Sequence, residues 1–128
     1  MSDWPPPHCI SRRRSEPGRR RPVSYSPRAQ PIPETRLEAV AQRLRILGQP
    51  VRIRIIEHLT VHGETTVQTL ADQLAIGQQH MSWHLGLLQR AGILTRRREG
   101  RRVWYSLPDT TAISLIQAAD ELTGRSQA

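Results

Sequence analysis

The stretch V-Q-T-L-A-D-Q-L-A-I-G-Q-Q-H-M-S-W-H-L-G-L-L-Q-R-A-G-I-L, residues 67–94, decides the fold. Val67, Leu70, Ala71 and Leu74 recur at helical spacing. Thr66 precedes them and can cap that helix, because its hydroxyl accepts from a free N–H of the first turn. Ile76-Gly77 then makes a tight turn. Residues 78–91 carry a second helical pattern, with Met81, Leu85 and Leu88 inside an arc of about 60° at about 100° per residue. Gln79, Ser82, Trp83 and Gly86 lie opposite, Gln78 is in the first turn, and His80 and His84 fall on the border between the faces. Two helices joined by A-I-G fit a helix-turn-helix, whose second member enters a DNA major groove by its N-terminal turns.

Reading outward toward the C-terminus, Gly92 breaks the second helix. Residues 93–98 and 101–107 then read as strands around Glu99-Gly100, a hairpin signal. Arg96, Arg97, Arg98, Arg101 and Arg102 crowd its tip into a positive finger suited to phosphates or to an A·T-rich minor groove. Pro108 ends the second strand. Asp109 or Thr110 can cap a last helix, with Ala112, Leu115, Ile116 and Ala119 on one stripe and Leu122 near it. Toward the N-terminus, Leu37, Val40, Ala41, Leu44 and Leu47 form the stripe of a first helix that Gly48 ends. Pro50 suits the first turn of the next helix, where its missing N–H costs nothing. That helix carries Ile53, Ile56 and Leu59 on one face, with Val51 and Ile55 beside it, and stops at His62-Gly63. Glu64-Thr65-Thr66 reads as a short extension. The predicted fold is therefore mainly α with a small β-hairpin, a winged helix-turn-helix of five helices plus wing.

Composition agrees with a nucleic-acid partner. The 128 residues make one small domain and a tail. The 19 positive residues are all Arg, against 11 acids, and the net charge is +8. Guanidinium forks match phosphates and base edges better than ammonium groups do. Residues 1–33 hold eight of the ten prolines and seven arginines against two acids. Such a Pro/Arg-rich segment cannot bury enough apolar surface to offset chain entropy, so it is predicted to be a disordered tail, with the domain over 34–128. The tail reads equally well as a solvated extension or as a basic arm adding non-specific DNA affinity. No apolar run nears the roughly 20 residues of a membrane helix, so no membrane partner is expected. The start lacks the apolar stretch of a secretion signal, and a single Cys makes no internal disulfide, which fits a reducing cytoplasm. A glycine-rich phosphate loop, H-E-x-x-H and a nucleophile beside a base are all missing, so no catalytic residue and no enzyme activity are expected.

These motifs together resemble the ArsR/SmtB winged-helix repressors of bacteria, over about Leu37 to Leu107. The likeness is carried by L-G-Q-P-V-R-I-R-I-I (47–56), H-G-E (62–64), V-Q-T-L-A-D-Q-L-A-I (67–76), G-Q-Q-H-M-S-W-H-L-G-L-L-Q-R-A-G-I-L (77–94) and the wing R-R-R-E-G-R-R-V-W-Y-S-L (96–107). It implies a cytoplasmic, nucleoid-associated homodimer that binds a palindromic operator in double-stranded DNA and represses. The family's first and last helices form the dimer interface, which here points to Leu37, Val40, Ala41, Leu44, Ala112, Leu115, Ile116 and Ala119. The candidate DNA-binding residues are Gln78, Gln79, His80, Ser82, Trp83 and His84, with Arg96, Arg97, Arg98, Arg101 and Arg102 of the wing. One departure is Gly86, where the family often has a basic residue. The usual metal sites are not expected: Thr65-Thr66-Val67-Gln68 has no thiol where the family places C-x-C, and the last helix has carboxylates but no His. His58/His62 and His80/His84 are i, i+4 pairs, short of the three or four ligands zinc takes. His8 and Cys9 lie together in the tail. No cofactor is expected. The alternative from another class is a protein-interaction or RNA-binding winged-helix module.

Overall fold

A computed structural model describes residues 30–127. The expectation of a tail over 1–33 falls almost entirely outside them, as do His8 and Cys9. The elements run α1 (Glu34–Leu47), α2 (Pro50–His62), β1 (Thr65–Thr66), α3 (Val67–Leu74), α4 (Gln78–Arg90), β2 (Thr95–Glu99), β3 (Arg102–Ser106) and α5 (Thr111–Gln127). Among the described residues, five helices and a small antiparallel sheet make the winged helix-turn-helix that the sequence predicts.

Local chemistry sets the element ends. Pro50 opens α2. The Thr66 hydroxyl accepts from the Thr69 N–H at 3.3 Å and caps α3. The Asp109 carboxylate accepts from the Thr111 N–H at 2.9 Å at the start of α5. Ala75 ends α3 in the left-handed region at φ 56°. Its N–H and that of Ile76 donate to the carbonyls of Asp72 and Ala71, closing the helix with a Schellman pattern.

The core lies where α2, α3 and α4 meet. Ile55 and Ile56 of α2, Leu70 of α3, and Met81, Leu85 and Leu88 of α4 are fully buried. Removing a side chain such as Leu85 down to Ala costs about 2–5 kcal/mol. Leu59, Ala71, Leu94, Tyr105, Ala112 and the last turn of α1, Ile46 and Leu47, complete it.

Three details differ from the sequence reading. The hairpin is part of a three-stranded sheet ordered β1-β3-β2, because Thr65 and Thr66 pair with Tyr105 and Trp104. Glu99 pairs with Arg102, so the two-residue turn is Gly100-Arg101, one position later than expected. Gly100 takes φ +63° there, which a glycine adopts without strain. Finally, α2 turns Arg52, Ile55, Ile56 and Leu59 inward, while Ile53 is only half-buried. A charged side chain replaces an expected isoleucine in the buried stripe because its polar atoms find partners, as described next.

Candidate nucleic-acid interface

The buried face of α4 fixes the exposed one. With Met81, Leu85 and Leu88 locked in the core, Gln78, Gln79, His80, Ser82 and Trp83 stand in solvent. Trp83 is 55% exposed, unusual for so large a ring, yet it is held in place. The Arg52 guanidinium lies 5.4 Å from its ring centroid, and the His84 ring meets it edge-on at 5.1 Å. Arg52 is only 6% exposed. Its Nε donates to His84 Nδ1 at 3.1 Å and its Nη1 to the Ile46 carbonyl at 3.0 Å. One guanidinium thus ties the end of α1 to α4 and supports the exposed tryptophan. His84 is half-buried, and its Nδ1 faces Arg52. Burial first, then the charges of Arg52 and His80, hold its pKa below the ordinary imidazole value, which keeps the ring neutral and able to accept.

Gly86 sits half-buried on the border of this face, and Arg90 covers it. A methyl group on Gly86 would stand 3.2 Å from Arg90 Nη1. A guanidinium from one helical turn on therefore lies over position 86. The sequence reading passed over Arg90; its i, i+4 spacing from a glycine was the available signal.

On the wing, every residue of β2 is exposed. Arg96, Arg98, Arg101 and Arg102 make no ion pair among the described residues. Arg97 is different: it is gripped by Glu64 and Glu99 and lies over Trp104. Hydrogen bonding to Arg97 holds the Glu64 carboxyl below the usual carboxylate range.

The two apolar stripes expected at the dimer interface divide in use. Ala112 is buried in the subunit's own core, and Val40, Ala41 and Ile116 are half-buried. Leu37, Leu44, Leu115 and Ala119 remain exposed. Between α1, α2 and α5 runs a groove of about 1060 Å³, walled in part by Leu44, Ile53, Val61 and Leu115.

The family's metal sites do not fit the residues present. Thr65 is buried and Thr66 serves as a cap, and the Asp109 carboxylate is engaged by the backbone of α5. The His58 and His62 rings lie 4.4 Å apart, but no group of three or more His, Cys, Asp or Glu comes together among the described residues. Among them, too, no helix is long and apolar enough to cross a membrane.

Comparison with known proteins places this geometry. A helix-turn-helix domain family matches residues 47–97. The chain is 38% identical over 85 residues to the biofilm growth-associated repressor of Xylella fastidiosa, covering 66% of this chain and 74% of that one. It is 40% identical over 79 residues to the HTH-type transcriptional repressor SmtB of Mycobacterium tuberculosis, covering 62% of this chain and 58% of that repressor. The crystal structure of the transcriptional repressor BigR from Xylella fastidiosa superposes with a TM-score of 0.58 at 36% identity, over 70% of this chain and 90% of that one. These relatives are transcriptional regulators rather than enzymes. Fold, motif order and identity over most of the domain agree, and the chain belongs to the ArsR/SmtB family of winged helix-turn-helix DNA-binding transcriptional regulators.

Proposed function

We propose that the chain is a homodimeric repressor that sets α4 of each subunit in the major groove of a palindromic operator and rests its wings on the DNA backbone beside it. The observation that carries this reading is the α4 surface: Gln78, Gln79, Ser82 and Trp83 are presented to solvent by a helix whose other face is immobilised in the core. Gln79 suits the two-pronged edge of adenine, Ser82 a phosphate or base edge, and Trp83 a thymine methyl. Gln78 and His80 stand in the entering turn, and His84 orients Trp83 from behind. The wing arginines that make no ion pair among the described residues supply affinity through phosphate. Leu37 and Leu44 on α1, with Leu115 and Ala119 on α5, favour a second copy as partner, because a domain of this size cannot cover both stripes alone. Repression is favoured by the relatives, which are named repressors. Binding to an operator supports a cytoplasmic, nucleoid-associated location.

Selection of bound sequences from random duplexes tests the reading. The expected result is a palindromic consensus with half-sites one DNA turn, about 34 Å, apart. No enrichment would favour a protein or RNA partner instead. On the selected site, Gln79→Ala should cost about 1–3 kcal/mol while leaving random duplex nearly unchanged. Equal weakening on both would remove α4 from the reading role.

A further inference from the structure

The wing carries five arginines, and one of them is already engaged within the protein. Arg97 Nε donates to Glu64 Oε2 and Arg97 Nη2 to Glu64 Oε1, each at 2.9 Å, a two-pronged pair. Arg97 Nη1 donates to Glu99 Oε1 at 3.2 Å. The guanidinium carbon stands 5.7 Å from the Trp104 ring centroid. All three nitrogens are engaged, the face is on an aromatic ring, and two carboxylates surround one positive charge. A phosphate approaching this group meets a net negative cluster.

The placement of the cluster gives it another task. β2 and β1 are the two edge strands, and β2 reaches β1 only across β3. Arg97 pairs with Trp104 on β3, and Trp104 pairs in turn with Thr66 on β1. The side chain therefore crosses the width of the sheet over Trp104 and ends on Glu64, beside β1 and 33 positions away in the chain. Strand alternation turns Arg96 and Arg98 to the face opposite Arg97 and Glu99. We infer that Arg97 is the positioning residue of the wing rather than a DNA ligand: Glu64 and Glu99 hold it, and through it they aim Arg96, Arg98, Arg101 and Arg102 at the phosphates. The inference rests on the DNA-binding reading above. It replaces the expectation of five equivalent wing contacts with four contacts and a strut.

The test compares wild type, Arg97→Ala, Glu64→Gln, their double variant and Arg101→Ala. Affinities for the selected operator and for random duplex are measured at several salt concentrations. Arg97→Ala and Glu64→Gln should each lower the operator-over-random ratio by about fivefold, the scale of one well-formed exposed pair. The double variant should be no worse than either single one, because both remove the same strut. The salt slope on random duplex should be unchanged in Arg97→Ala and flattened by about 0.9 in Arg101→Ala. If Arg97→Ala flattens the slope as Arg101→Ala does, or if Glu64→Gln leaves the ratio at the wild-type value, the inference is overturned. Amide hydrogen exchange in the free protein tests the strut without DNA. Both single variants should exchange faster along β2 and β3, and unchanged exchange would also overturn it. A wild-type chain that fails to distinguish the duplexes counts against the proposed function, and exchange then decides the strut by itself.

Discussion

Ala75 is the one non-glycine residue with positive φ among the described residues. Its Cβ costs about 1 kcal/mol in that conformation, a cost borne so that α3 can stop and α4 can start three residues later. Ala75→Gly should therefore raise stability by about 1 kcal/mol and the melting temperature by about 4–8 °C, read by thermal denaturation. A lower melting temperature would mean that the methyl group contributes packing that outweighs the strain. His84 makes a second single-residue prediction. Its folded pKa is depressed from 6.5, so its neutral form is the one that the fold favours. Above pH 6.5 its contribution is fully present. As pH falls below that value the unfolded chain takes a proton that the folded chain resists, and stability declines until the folded pKa is passed. Urea midpoints at several pH values between 8 and 5 should thus fall with acid, and fall less in His84→Asn. The same fall in both proteins would assign the acid sensitivity to another group.

Elements differed in how much of them the residues revealed. The α3–turn–α4 unit was legible in full, because its cap, its three-residue turn and its buried stripe at 81, 85 and 88 are all local signals. The strands were legible too, but the turn was displaced by one residue, since Glu99 and Arg101 compete equally for the place beside Gly100. What could not be read was long-range polar chemistry. Arg52 counts as a surface residue in any periodicity argument; its burial is tolerable because His84, 32 positions away, and the Ile46 carbonyl both accept from it. Glu64 likewise gives no sign that its partner is on β2. The stripes of α1 and α5 were legible as apolar faces, whereas the share each face keeps in solvent depends on packing that no repeat encodes. For the wing as an element, Arg101→Ala and Arg102→Ala should each weaken operator and random duplex alike. Titrations across a range of salt would check this, and a loss confined to operator would mean that the wing reads groove shape.

At the scale of the molecule, exposed Leu37, Leu44 and Leu115 on α1 and α5 make self-association the expected state. The double variant Leu44→Glu, Leu115→Glu should sediment as a folded monomer and lose operator affinity by more than tenfold, because one subunit grips one half-site without the help of the other. A variant that remains dimeric would place the interface elsewhere. Arg52 has a further consequence for the whole sequence, which contains arginine and no lysine at all. At most positions that uniformity is interchangeable: an ammonium at position 101 would carry the same charge. At position 52 one flat cation serves a ring nitrogen, a main-chain oxygen and an aromatic face in three separate directions. A lysine has one charged point and no face to offer. Descendants of this sequence are thus free to drift between the two cations across the surface outside Arg97, while the codon at position 52 stays confined to arginine.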